Sequence, residues 1–204
     1  MEKEYWNRFA GIYDLFMKKD EAAYQQLTAL IRHAVRDKDV LELATGTGRV
    51  ARAISETACS VTATDYSENM LKQAMKGGFP PNVVFEQADA TRLNFGDQQF
   101  DVVVIINALH IMNEPEKALR EISRVLKDDG LLIAPTFTHA ETNAAQKLLS
   151  GLMTRVTGFR TEHDWSRDEF IDFLRENGWE FVQGRTLKAS FPLTYVECVK
   201  KELA

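Results

Sequence analysis

Apolar positions follow two rhythms along this chain. Short, nearly continuous apolar runs alternate with stretches in which apolar residues return every three or four positions. The runs Val40–Leu43, Ser60–Thr64, Val83–Gln87, Phe100–Ile106 and Leu131–Thr136 predict strands. The helical rhythm fills Val50–Thr57, Ser67–Met75 with Ser67 as N-cap, and the segment opened by Pro115, whose apolar face is Ala118, Leu119, Ile122, Val125 and Leu126. Thr91–Gln99 is too short and too polar for a full helix. Val102-Val103-Val104-Ile105-Ile106 is apolar at every position, as expected of a strand covered on both faces, within a parallel sheet between helix layers.

Two helices are expected before the first strand. Tyr5–Met17 carries Phe9, Ile12, Tyr13 and Phe16, and Glu21–Val35 carries Tyr24, Leu27, Ile31 and Ala34. Towards the C-terminus a helix is expected over Asn143–Val156. Ser166-Arg167-Asp168-Glu169 reads as a capping box, opening a helix with Phe170, Phe173 and Leu174 that stops at Asn177-Gly178. Trp179–Leu187 and Leu193–Lys200 then read as an antiparallel hairpin. The expected fold is α/β: a doubly wound seven-stranded sheet, mostly parallel with one antiparallel edge hairpin and helices on both faces. Residues 1–204 read as one domain, since no repeat or long Pro/Gly-rich linker divides them.

Composition narrows the function. A net charge of −5 argues against a general nucleic-acid binder. Met1-Glu2-Lys3-Glu4 is not followed by an apolar signal segment, and the run at 102–106 falls far short of the ~20 residues a spanning helix takes, so a cytoplasmic protein is expected. Cys59 and Cys198 lack C-x-x-C spacing and lie in apolar strand-like segments, which reads as two reduced core thiols. His33, His110, His139 and His163 show no ligand spacing, so no metal is expected.

The chemistry concentrates at Glu42-Leu43-Ala44-Thr45-Gly46-Thr47-Gly48, where a strand enters a small-residue turn before a helix. Such a turn lets backbone approach a ligand closely. Gly46-x-Gly48-x-x-Ala51 also satisfies the dinucleotide pattern G-x-G-x-x-G/A. Asp65 follows Gly46 at a distance suited to gripping vicinal ribose hydroxyls, whether of NAD or of S-adenosylmethionine. Glu42 separates the two: a buried acid needs a partner, which a ligand's ammonium group would supply and a pyrophosphate would not.

With these residues in view, the sequence resembles the class I S-adenosylmethionine-dependent methyltransferases, in particular the small-molecule branch that includes quinone-biosynthesis and phospholipid methyltransferases. The likeness covers Tyr5 to Gly130. Glu42 to Gly48 matches the family's acid-x-Gly-x-Gly-x-Gly motif, with Ala44 in place of the first glycine, which implies slightly less room near the methionine part. The resemblance implies that Glu42, Ala44, Thr45, Gly46 and Gly48 form the cofactor turn, and that Asp65 holds the ribose with Tyr66 beside it. It further implies Met70 packing near the adenine, Asp89 and Ala90 reading that ring, and Asn107 bordering the methionine moiety and the substrate. Tyr13, after Trp6 and Ala10, matches an N-terminal lid signature, so residues 1–36 are expected to form a helical lid and 138–165 a substrate-facing insertion.

Each residue also has a plainer reading: Asp65 as a helix-capping acid, Asp89 as a turn residue, Met70 as core, and the Phe9, Tyr13, Phe16 stripe as a packed helix face or a membrane-facing one. The implied activity is in-line methyl transfer to a small-molecule acceptor. His110 is the candidate general base, should the acceptor carry a proton, and His139 a second. There is no Asn/Asp-Pro-Pro-aromatic tetrad after the fourth strand and no cysteine near it, which speaks against DNA-amine and cytosine-C5 chemistry. The alternatives are a short-chain NAD(P) oxidoreductase, which would want a Tyr-x-x-x-Lys pair where Tyr195 is followed by Val199, and a non-catalytic S-adenosylmethionine-binding module.

Overall fold

The computed structural model describes residues 3–138 and 161–202. The helix expected over Asn143–Val156, and His139 with it, lie outside the described residues. The chain opens with α1 (Lys3–Phe9), α2 (Tyr13–Met17) and α3 (Glu21–Ala34). The alternating body follows: β1 (Asp39–Leu43), α4 (Arg49–Ile54), β2 (Ser60–Asp65), α5 (Glu68–Ala74), β3 (Val83–Gln87), β4 (Phe100–Ile105), α6 (Pro115–Val125), β5 (Leu126–Ile133) and β6 (Thr136–Phe137). Then come α7 (Arg167–Glu176), β7 (Trp179–Leu187) and β8 (Leu193–Lys200).

The sheet runs β3-β2-β1-β4-β5-β8, with β7 on the far side of β8. Strands β1 to β5 pair in parallel, whereas β8 is antiparallel to β5, β6 and β7. The strand order reverses between β1 and β4, which opens the crevice at their carboxyl ends where such sheets bind ligands. One expected strand, Leu131–Thr136, is two pieces of one line along β8: Ile133 pairs with Glu197 and Thr136 with Thr194, with Pro135, which has no N–H to give a ladder, between them. That division gives eight strands where seven were expected.

Side-chain alternation explains the apolar run in β4. Val103 and Ile105 join Leu41 and Leu43 in a core closed by α6 and α7, while Val102 and Val104 join Val40 in a second core beneath α3 and α4. The capping box at Ser166 and Glu169 is formed from both sides.

Two expectations need correction. The single helix over Tyr5–Met17 breaks at Ala10-Gly11-Ile12; Gly11 is a poor helix former, and the break lets Trp6 and Tyr13 reach the same cavity. Cys59 is exposed, because it precedes β2 on a turn and not in the strand, whereas Cys198 is buried in β8, where desolvation pushes its thiol up to about 12.

Candidate active site

The turn after β1 is built from left-handed backbone. Ala44, Gly46 and Gly48 have φ of 53°, 60° and 72°, and Asn107, after β4, has φ of 50°. At Gly48 a β-carbon would lie 2.7 Å from the Phe85 ring and 3.1 Å from the Ala74 β-carbon, so glycine is required by both space and conformation. Ala44 holds a conformation that favours glycine, at a cost of ~1 kcal/mol.

Asp65, at the end of β2, is buried and braces this turn. Its carboxylate accepts the Gly46 N–H at 2.8 Å through one oxygen and the Ser67 N–H at 2.8 Å through the other. Burial raises its pKa, and the two N–H groups oppose that rise. The Ser67 hydroxyl caps α5 by accepting the Met70 N–H at 3.2 Å. Glu42 is also buried, and its Oε2 has no hydrogen-bond partner; Thr45 Oγ1 and Asn107 Oδ1 are likewise buried and unpartnered. Burial pushes Glu42 up to about 8, with the Asp65 charge adding to the rise.

A cavity of about 290 Å³ opens between these groups. Its wall includes Tyr13, Ala44, Gly46, Asp65, Tyr66, Met70, Asp89, Ala90 and Asn107 from the expected set. Glu42, Thr45, Gly48 and His110 do not reach it. Asp89 accepts both the backbone N–H (2.9 Å) and the hydroxyl (2.7 Å) of Thr91 through one oxygen, so its turn-forming role is real, yet it also lies on the wall. His110 is buried, with Nδ1 2.9 Å from the Thr136 hydroxyl.

Several wall residues carry no signal in the sequence: Thr64, Ala88, Ile106, Ile111 and Met112 are small or apolar groups that could equally be core. Tyr24 is another. It shares the apolar stripe of α3, yet its hydroxyl accepts from Asn107 Nδ2 at 2.9 Å, a partner far away in the chain.

The N-terminal helices are fastened over this cavity by polar contacts. The Thr47 hydroxyl donates to Asp14 at 2.6 Å and the Ser67 hydroxyl to Asn7 Oδ1 at 2.6 Å, while Lys3 pairs with Glu68 at 2.9 Å. The Tyr13 ring lies 3.6 Å from where a β-carbon on Gly46 would stand. Its hydroxyl is held well above its ordinary pKa, chiefly by burial and by Tyr24 and Asp65 nearby.

The described wall carries three acids, Asp65, Asp89 and Glu114, and no lysine or arginine. A pyrophosphate would find no counter-charge among these groups. S-adenosylmethionine, a cation with an ammonium and a sulfonium centre, suits them, and Glu42 Oε2 and Thr45 Oγ1 supply unsatisfied acceptors beside the turn. Among the described residues no group of three or more His, Cys, Asp or Glu could hold a metal ion.

Comparison with known proteins agrees with this chemistry. Residues 41–134 match a methyltransferase domain family. A demethylmenaquinone methyltransferase of Renibacterium salmoninarum is 40% identical over 171 residues, 76% of this chain and 71% of that protein. The chain belongs to the S-adenosylmethionine-dependent methyltransferases. The methyltransferase is also 29% identical over 216 residues to a ubiquinone/menaquinone biosynthesis C-methyltransferase of Bdellovibrio bacteriovorus, covering 93% of this chain and 87% of that one. Among solved structures, a DhpI–SAH complex superposes with a TM-score of 0.74 at 25% identity, covering 98% of this chain and 96% of that one. A Thermotoga maritima methyltransferase shares the fold at a TM-score of 0.79 and 21% identity, covering 98% of this chain and all of that one. The activity is methyl transfer from S-adenosylmethionine to a small-molecule acceptor.

Proposed function

We propose that the acceptor is the ring of a quinol-type compound, methylated on carbon. The observation that carries this reading is the 40% identity to a demethylmenaquinone methyltransferase over most of both chains. The apolar part of the wall, Ile106, Ile111 and Met112 together with Trp6, supports it by offering a surface suited to a flat, weakly polar ring.

Within this reading Asp65 accepts from the ribose hydroxyls, Asp89 from the exocyclic amine of adenine, and Tyr66 and Met70 flank the base. Glu42 and Asn107 receive the ammonium end, directly or through water. S-adenosylmethionine, when bound, supplies a methyl group already activated on sulfur. The protein's task is then to hold the acceptor carbon in line and exclude water, which can supply ~7–11 kcal/mol of the barrier. A quinol gives up a hydroxyl proton as its ring carbon attacks; His110, held by Thr136 off the cavity wall, is the candidate to take it only through a bridging water. The N-terminal residues 1–36 serve as the lid; the expected acceptor-facing insertion over 138–165 lies largely outside the described residues.

The test uses tritiated S-adenosylmethionine with a demethylmenaquinol, phosphatidylethanolamine or histamine. Label entering the quinol alone, at a ring carbon, is the expected result. Label in either amine with none in the quinol would overturn the acceptor class.

A further inference from the structure

The N-terminal segment that roofs the cavity has an outer face of different character. Trp6 and Tyr13 point into the cavity, whereas Ile12 and Leu15 are 55% and 69% exposed, the two most exposed large apolar side chains among the described residues. Of the Phe9, Tyr13, Phe16 stripe considered above, Phe9 and Tyr13 are half-buried and pack edge-on to each other at 6.2 Å.

The charges around Ile12 and Leu15 are sorted by sign. The acids are engaged by the body of the protein: Asp14 accepts from Thr47 at 2.6 Å, Asp20 is buried and accepts the Ser190 N–H at 2.6 Å, and Glu21 pairs with Arg49 at 2.7 Å. The bases face outward. Arg8 and Lys18 are exposed and form no ion pair among the described residues, and Lys19 is exposed, its ammonium resting 6.0 Å from the Phe191 ring. The bond from Ser190 to Asp20 brings the loop after β7, with exposed Lys188, alongside. Asp14 and Glu21 stay exposed despite these bonds, and Glu4, at the start of the segment on α1, is a further exposed acid among the described residues.

We propose that this face, Ile12 and Leu15 ringed by Arg8, Lys18, Lys19 and Lys188, seats the protein on an anionic lipid bilayer. Apolar tips inside a basic rim match the layered chemistry of a bilayer surface, with acyl chains beneath anionic headgroups. The phosphate backbone of a nucleic acid would use the bases and leave the two apolar tips in water. The protein's overall charge of −5 makes the attraction local, so it fixes an orientation: the cavity roof turns towards the lipid. The proposal goes beyond the acceptor assignment and is tested without an acceptor, so the two can fail separately.

The experiment is co-sedimentation with vesicles of phosphatidylcholine alone, or of phosphatidylcholine mixed with phosphatidylglycerol, at low and high salt. The wild type is expected to bind only the anionic vesicles and to be released by salt. Lys18→Glu/Lys19→Glu and Ile12→Asp/Leu15→Asp should each weaken binding at least tenfold, since one basic residue at such a surface contributes roughly fivefold. Both variants should keep a cooperative thermal transition within a few degrees of the wild type, which shows that they are folded. Wild type remaining in solution with anionic vesicles would overturn the proposal. So would undiminished binding by the Ile12/Leu15 variant, or RNA competing off the vesicles while that variant binds RNA normally.

Discussion

Replacing Glu42 by Gln separates two effects of one buried carboxyl. In the free protein burial lifts Glu42 from its ordinary 4.5 to about 8. Each pH unit between the two values corresponds to about 1.4 kcal/mol, so keeping Glu42 ionised in the folded protein costs on the order of 4–5 kcal/mol. The sign follows from the raised pKa: the folded state holds a proton that the unfolded state has lost. The stabilising contribution is full below pH 4.5 and is lost as pH rises through about 8. Glu42→Gln cannot ionise, so its unfolding free energy should lack this decline and gain on the wild type between pH 4.5 and about 8, the difference levelling off above that.

In the proposed binding mode, ligand binding reverses the preference. A cation beside Glu42 favours the carboxylate, so binding at pH 7 should release about 0.9 proton, because a group with pKa about 8 is ~90% protonated there. Calorimetric titration with S-adenosylmethionine in buffers of different ionisation enthalpy reads this number directly. In Glu42→Gln the release should vanish and affinity should fall by about 1.5–3 kcal/mol, roughly ten- to a hundredfold. If the wild-type enthalpy is independent of buffer, or the variant releases the same number of protons, Glu42 does not meet the cofactor's charge.

Asp65→Ala should weaken S-adenosylmethionine by ~1–3 kcal/mol, read by equilibrium dialysis, since it removes a buried acceptor and leaves the Gly46 and Ser67 N–H groups without one. Wild-type affinity would remove it from the ribose. Ala44→Gly should raise stability by about 0.5–1 kcal/mol, visible as a higher Tm, because the residue at φ 53° loses its left-handed strain. Gly48→Ala should do the opposite, lowering Tm by an amount equivalent to ~1–3 kcal/mol, as its β-carbon meets the Phe85 ring at 2.7 Å. His110→Ala should change turnover more than cofactor affinity, and unchanged turnover would leave His110 a packing residue held by Thr136.

The order of elements was legible because β4 announces a doubly covered strand, and the glycine turn and the two acids carry chemistry that few other patterns need. The reading failed where the same residues serve two purposes. The break at Gly11 is one missing side chain in an otherwise helical stripe. Leu126 begins β5 five residues before the expected Leu131, because the intervening Lys127, Asp128 and Asp129 look like a loop, although Leu126 already pairs with Phe100. Tyr24 and Ile111 show why half of a pocket stays hidden: a core side chain and a wall side chain have the same composition, and only the fold decides which of them faces a ligand.

Strand β8 sits between β5 and β7 and bonds to both, and Leu193 to Cys198 are buried along it. In order of synthesis, however, it follows every other described strand. During translation β5 must therefore wait with one edge unpaired, and β7 with no partner, until β8 has emerged. A ribosome stalled before Leu193 would hold a nascent chain with an adhesive flank, a natural target for chaperones.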